Sequence, residues 1–386
     1  MGDKLGLYLH IPFCRSKCAY CDFYSLAGRE EQMDAYQNAL LAHLKQTACT
    51  AHCPVDTVYF GGGTPSLFGE KRLLALLAAV KKYYKLDRDA EITLEANPDS
   101  VSLKMLAKLR AGGFNRLSIG MQSAQDGELQ AVGRPHTAEQ TVQAVCAARK
   151  AKFKNVSLDL IYGLPGQTLE SWQATVAQAV SLQPQHLSCY GLKVEEHTPL
   201  ARRVEAGESL PDDDLQADLY LWTVDFLEKS GFRQYEISNF AQNGFESRHN
   251  LRYWLTRPYL GFGPGAHSDF AGRRTSCPRD LEAYLTGVQS GSPALEEEQD
   301  ISLNERAAEY LMLRLRTAAG IEEWEYRRTF FRDFEPLERL LEQYQCRGWA
   351  VKTVLGRWRL TPEGFLVSNQ LIAGLLARQE LEAGGG

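Results

Sequence analysis

The sequence predicts an α/β fold: a partial (β/α)6 barrel followed by a smaller α+β, winged-helix-like domain at the C-terminal end. Three observations predict it. Short β-branched runs recur about every 30 residues and alternate with helical patterns, as parallel βα units do. There are six such units, which suits a curved sheet or partial barrel better than a closed one of eight strands. From residue 301 onward the pattern changes to helices, a hairpin and a final helix.

The expected strands are "GLYLHIPF" (6–13), "DTVYFGGGT" (56–64), "EITLEANP" (91–98), "RLSIGMQS" (116–123), "NVSLDLIYGLP" (155–165) and "QHLSCYGLKV" (185–194). Helical patterns fill 31–47, 70–84, 102–111, 137–151 and 168–181. In 70–84 the 3.6-residue period puts Leu73, Leu76, Leu77 and Val80 on one face, with lysines opposite. A further helix at 212–230 leads to a seventh strand, "RQYEISNFA" (233–241). An aromatic and Gly-rich stretch (243–270) follows, and "QSGSPALEEEQD" (289–300) reads as a linker. Helix 303–318 opens the end domain, for which packing or gating is favoured over DNA binding. The tail "EAGGG" reads as disordered. The expected divisions are 1–240 for the barrel, 241–300 for the aromatic segment and linker, and 301–386 for the end domain.

The chain has 386 residues, with 44% hydrophobic residues, 24% charged residues and a net charge of −5. That composition is ordinary for a globular protein and demotes nucleic-acid binding, which favours a basic face. No apolar run reaches the length of a membrane span, and the N-terminus lacks the pattern of a secretory leader. The expectation is a cytoplasmic protein. In that compartment its nine cysteines read as thiols or ligands, not disulfides. Cys49 and Cys53 flank His52, but no third ligand follows, so they read as ordinary thiols.

Cys14, Cys18 and Cys21 stand apart in "CRSKCAYC". The spacing is too tight, and one ligand short, for a closed tetrahedral zinc site unless a distant residue completes it. Thiolates so close together suit an iron–sulfur cluster. A four-iron cluster held by three cysteines leaves one iron open to a small molecule. In barrel-type α/β folds the site forms at the C-terminal edge of the sheet, and these strand ends are rich in Gly, polar and charged residues. "GGGTPS" ends the second strand, where glycines let backbone approach a ligand and leave N–H groups free to donate.

Cys-x3-Cys-x2-Cys with Tyr20 before the last cysteine resembles the signature of the radical S-adenosylmethionine (SAM) enzymes. Their fold is a partial barrel, so the resemblance makes this a radical-SAM barrel. It implies a 4Fe-4S cluster on Cys14, Cys18 and Cys21. The open iron then binds the amino and carboxylate groups of SAM, which an electron from the cluster can cleave to a 5′-deoxyadenosyl radical. It further implies a SAM pocket built from Tyr8, the turn Gly62, Gly63 and Thr64, Glu95, Gln122, Arg134 and Asp159. In that pocket Arg134 would pair with the SAM carboxylate, and Glu95 and Asp159 would accept from the ribose.

From about 5 to 375 the chain resembles the oxygen-independent coproporphyrinogen III oxidase-like family. "LHIPFC", "GGGTPS", "LEANP", "IGMQS", "DLIYGLP", "YEISNFA" and "GFGPGAHS" carry the likeness. One branch oxidatively decarboxylates coproporphyrinogen III and usually has a fourth cysteine where this chain has Phe23. The haem-chaperone (HemW-type) branch carries His-Asn-x-x-Tyr-Trp, here His249, Asn250, Tyr253 and Trp254. A histidine can ligate haem iron and aromatic rings can face a porphyrin. His267 is a second candidate histidine. A core-facing cluster around a hydrogen-bonded histidine is the plain alternative for His249.

The favoured expectation is therefore a haem chaperone with a 4Fe-4S cluster, SAM and haem, delivering haem to an apo-haemoprotein. The alternatives are the dehydrogenase and a radical-SAM enzyme for another substrate. A reductant protein, a homodimer and peripheral contact with membrane haemoproteins are partners this reading allows.

Overall fold

The computed structural model describes residues 4–49, 52–291 and 295–383. Six parallel strands form its centre: β1 (Leu5–Ile11), β2 (Val55–Gly62), β3 (Leu86–Ala96), β4 (Arg116–Gln122), β5 (Asn155–Tyr162) and β6 (His186–Gly191). They pair in sequence order. Five helices make the crossovers: α1 (Met33–Thr47), α2 (Glu70–Tyr83), α3 (Leu103–Gly112), α4 (Ala138–Lys150) and α5 (Leu169–Ser181). All six expected strands and all five expected helices are present, and Leu73, Leu76, Leu77 and Val80 are buried as the period required.

The two faces of this sheet differ sharply. Leu7, Leu9, Val58, Phe60, Ile92, Leu94, Leu117, Ile119, Leu158 and Leu160 are buried in the main apolar core with the helices. Alternate positions carry Tyr8, Tyr59, Glu95, Ser118, Asp159 and Ser188, and the register sets these side by side across neighbouring strands. A strand alternates sides at every residue. The apolar set therefore turns outward to the helices, and the polar set lines the inside of the curve.

The sheet extends beyond the six units. The stretch 233–241, expected as one strand, is a hairpin of β7 (Arg233–Glu236) and β8 (Asn239–Ala241), with β8 antiparallel to β6. The buried Glu236 carboxylate accepts from Ser238 N at 3.1 Å and from the Asn239 side chain, which fixes the reversal. On the other side β9 (Tyr259–Phe262) runs parallel to β1. It is followed by antiparallel β10 (His267–Phe270), β11 (Arg273–Ser276) and β12 (Glu297–Asp300). The segment 241–300 is thus built into one twelve-stranded sheet. Part of the expected linker is the edge strand β12, and its residues 292–294 lie outside the described residues. So do residues 384–386 of the tail, whereas Ala383 ends a helix.

The end domain has its own core around Tyr326, Phe334, Trp358 and Leu360, into which Tyr220 of α6 (Asp213–Lys229) also packs. Its helices surround a three-stranded sheet of Ile321–Glu322, Arg357–Leu360 and Ala350–Lys352, as expected for a winged-helix-like unit. It ties to both flanks of the large sheet. Ile237 N and Ala318 N exchange backbone hydrogen bonds with Arg316 O and Tyr235 O at 2.9 Å. On the other flank Arg306 grips Asp269, and Arg274 pairs with Glu309 at 2.7 Å.

The short helix α7 (Arg248–Trp254) is held by the same logic. The Glu91 carboxylate accepts from Arg248 N and His249 N at 3.2 and 3.1 Å. Arg252, 2% exposed, donates to Lys4 O and Pro258 O at 2.7 and 3.0 Å and pairs with Asp56. This one guanidinium staples α7 to β1, β2 and β9. Arg252→Ala removes three contacts of one buried guanidinium and leaves the half-buried Asp56 with only Arg248, 3.9 Å away, so unfolding in urea should show a loss of about 2–3 kcal/mol. A loss within 0.5 kcal/mol, about that of an ordinary surface substitution, would contradict that role.

Candidate functional site

The cysteine loop leaves the end of β1 and is pinched at its base. Phe13–Cys14 pairs with Leu26–Ala27, and Leu26 N donates to Pro12 O at 2.6 Å. The Phe13 ring stacks on Phe68 at 5.8 Å. Ala19 N donates to Val132 O at 3.0 Å, which ties the loop to the chain after β4. Cys14, Cys18 and Cys21 face one cavity of about 500 Å³ at the C-terminal strand ends.

Seven of the eight expected SAM residues line the same cavity: Gly62, Gly63, Thr64, Glu95, Gln122, Arg134 and Asp159. Arg134 lies across the cysteines, with Nη1 3.5 Å from Cys18 Sγ and Nη2 donating to Asn97 Oδ1 and Gly120 O at 2.9 and 3.0 Å. Thr64 Oγ1 donates to Cys14 Sγ at 3.5 Å. Asp159 accepts from Ser118 at 3.0 Å and from Ser188 at 2.8 Å.

The glycine turn works differently from the expectation. Its N–H groups are not free. Gly62 N donates to Glu95 Oε2 at 3.1 Å, Gly63 N to Ile11 O at 2.9 Å and Thr64 N to Phe13 O at 2.8 Å. Only carbonyl oxygens can remain for a ligand, which suits an ammonium group. The glycines are needed for closeness. Gly62 has φ +116° and a Cβ there would meet the His10 ring at 2.6 Å; one on Gly63 would lie 3.0 Å from Cys14 Sγ.

Tyr8 is the exception among the SAM residues. Its hydroxyl pairs with His10 Nδ1 at 3.1 Å, and its ring stacks beside Tyr59. It lines a second cavity, described below, and not the first. Asn97, Arg116, Ser118 and Ser188 line the first cavity and were not expected. Alternation was the signal for Ser118 and Ser188, which lie two residues from Gly120 and Tyr190 on the inward side. Asn97 was legible as the neighbour of Glu95 in "LEANP".

The cavity is built for a polar occupant. Arg116 Nε and Nη1 and Arg134 Nε are buried without a hydrogen-bond partner among the described residues, and both residues line it. Each such group costs about 1–3 kcal/mol unless something hydrogen-bonds it. Among the described residues no three His, Cys, Asp or Glu side chains converge as ligands of a single ion would. The thiolates of a four-iron cluster each take a different iron, so three thiols spread along one wall fit that group. The residues present thus fit both a cluster and SAM.

Comparison with known proteins agrees with this geometry. The profile of the Radical SAM superfamily matches residues 8–179. The chain is 34% identical over 372 residues to the heme chaperone HemW of Bacillus subtilis, covering 96% of this chain and 98% of that one. It is 42% identical over 271 residues to heme chaperone HemW of Mycobacterium tuberculosis (69% and 70% covered). It is 35% identical over 392 residues to the mitochondrial radical S-adenosyl methionine domain-containing protein 1 of Bos taurus (98% and 88% covered). The chain belongs to the heme chaperone HemW family. Its fold matches that of coproporphyrinogen III oxidase (HemN) from Escherichia coli, a radical SAM enzyme, with a TM-score of 0.83 at 24% identity over 97% of this chain and 90% of that one.

In this HemW-family chain the His-Asn-x-x-Tyr-Trp residues separate. His249 is 1% exposed, and both ring nitrogens are engaged, with Thr57 Oγ1 at 2.9 Å and Tyr253 OH at 2.8 Å. It stacks on Tyr59 at 5.0 Å. As placed, neither ring nitrogen faces a cavity with a free lone pair, an arrangement that matches the hydrogen-bonded core histidine named above as the alternative. Asn250 lines the first cavity, Tyr253 lines the second, and Trp254 lines neither.

Replacing Cys14, Cys18 or Cys21 by Ala should remove the broad cluster absorbance near about 400 nm. Full iron and sulfide content in all three variants would refute the assignment. Burial pushes the Glu95 carboxyl up to about 7, against the opposing hydrogen bond from Tyr59. A cationic ligand needs the charged form, and below about pH 7 the proton competes for it. SAM affinity should therefore fall as pH drops, by up to about tenfold per unit, and Glu95→Gln should flatten the profile. Calorimetric titration between pH 6 and pH 8, about one unit either side of that value, reads it directly.

Proposed function

We propose that this chain is a cytoplasmic haem chaperone that binds a 4Fe-4S cluster and SAM and delivers haem to apo-haemoproteins. The observation that carries the reading is the 34% identity to a heme chaperone HemW across 96% of the chain. Cys14, Cys18 and Cys21 hold the cluster. When bound, the cluster supplies an open iron for chelation of SAM and an electron for its reduction.

The chain's own residues do the rest. The carbonyls of the Gly62–Gly63 turn receive the ammonium end of SAM, and the Glu95 carboxylate accepts from the ribose of the cationic ligand. Arg134, fixed by Asn97 and Gly120, faces its carboxylate. Asp159, cradled by three serines, accepts from the ribose. The inward face of the sheet encloses the ligand and limits its contact with water. Phe23 stands at the lip, 69% exposed, where the dehydrogenase branch usually carries a fourth cysteine. Among the described residues no helix is long and apolar enough to cross a membrane. A reductant protein and self-association in a homodimer belong to the same proposal.

Cluster-loaded protein mixed anaerobically with haem should take it up stoichiometrically and pass it to an apo-haemoprotein, restoring that acceptor's spectrum. Failure to bind any haem would end this reading. The same preparation with coproporphyrinogen III, SAM and a reductant should form no decarboxylated product. Steady turnover would favour the dehydrogenase instead.

A further inference from the structure

We propose that the second cavity is the haem seat, with the His267 imidazole as iron ligand and Arg279 facing the propionates. This deepens the haem-chaperone reading and rests on it. The cavity, about 380 Å³, lies between the cysteine loop and the strands β9 and β10. Asp22 and Phe23 line both this cavity and the first, so the loop that holds Cys21 is the wall between them.

The histidines decide the ligand. The chain has eight. His10, His186 and His249 are buried with both ring nitrogens hydrogen-bonded. His43 and His136 are also buried. Three are exposed: His52, His197 and His267. Of these only His267 lines either cavity. Its ring makes no hydrogen bond to another described residue, so a nitrogen lone pair is available. Its backbone is well fixed, because β10 pairs with β11 and a Cβ on Gly261 would lie 2.1 Å from His267 O.

The walls have the right chemistry. Tyr8, Phe23, Tyr24, Tyr253 and Tyr259 supply flat apolar surface. Tyr253 and Tyr259 meet edge to face at 4.6 Å, and His249 holds the Tyr253 hydroxyl. The buried histidine of the His-Asn-x-x-Tyr-Trp stretch thus acts as a positioning residue for the cavity wall. Phe23 is one of the largest exposed hydrophobics, and a macrocycle in this cavity would cover it. Arg279 donates through Nη2 to Asp22 O at 2.8 Å, with the Asp22 carboxylate 3.9 Å from the same nitrogen, and its Nη1 and Nε, without a hydrogen bond to another described residue, can face a propionate. A haem is larger than the cavity, so one edge stands out in solvent, as suits a cargo that must be handed on.

The test is a titration of ferric haem into the cluster-loaded full chain, read by the Soret band. Wild type should bind, and His267→Ala should bind at least about tenfold more weakly, the low end of what disturbing a metal site costs, with a shifted band. Added imidazole should restore the wild-type spectrum to His267→Gly. If His267→Ala loses its cluster, His267→Met is read instead, and it should bind with a methionine-type spectrum. Wild-type affinity and band position in the substituted protein would place the seat elsewhere while leaving the chaperone reading intact. A wild type that binds no haem would overturn both.

Discussion

The alternation of apolar and polar side chains along six parallel strands is the constraint on which the rest of the molecule depends. A parallel sheet covered on both faces ordinarily reads as a continuous apolar run. Here only the outward face does. The inward face carries Glu95, Arg116, Ser118, Asp159 and Ser188, and charged groups inside a protein are stable only when paired or ligated. Some are paired, as Asp159 is with its serines. Others, such as the Nε and Nη1 of Arg116, have no hydrogen-bond partner among the described residues. The curve of the sheet is thereby committed to holding one.

The cysteine loop converts that polar interior into a cofactor site. It is anchored by aromatic stacking at Phe13, by the backbone link from Ala19 and by the Arg134 guanidinium, so three thiols are presented to the mouth of the curve. The far side of the same loop carries Phe23 and Tyr24 and faces a second, aromatic cavity. Two chemistries, a sulfur-rich wall for iron and an aromatic wall for a flat apolar cargo, are thus placed back to back by a few residues. The end domain ties both flanks of the sheet together, through Arg316 and Ala318 on one side and Arg306 on the other. That bracing is a packing role for a domain whose shape alone could have suggested DNA.

The repeating units were legible because period and composition agree along each of them. The cysteines, Glu95, Gln122 and Arg134 were legible because they lie at or just beyond the C-terminal ends of strands, where barrel sites form. Other features were hidden for physical reasons. The break of 233–241 into a hairpin depends on a buried Glu236 closing on its own neighbours, against the β-propensity of the run. His249 looked like a ligand because its role depends on Thr57, 192 residues away. Nothing within "HNLRYW" marks Arg252 as buried, because its partner Asp56 lies 196 residues away. Tyr8 has the spacing of a SAM contact, but its strand neighbours His10 and Tyr59 turn it toward the second cavity.

On the proposed reading, cluster and haem occupy neighbouring cavities separated by the Cys21–Tyr24 loop. Anomalous diffraction at the iron edge, from crystals of the cluster-loaded, haem-loaded protein, tests it most directly. Two separate iron features should be seen, one ringed by Cys14, Cys18 and Cys21 and the other beside His267, with Asp22 and Phe23 between them. A haem iron located anywhere else, or beside His249, would contradict it.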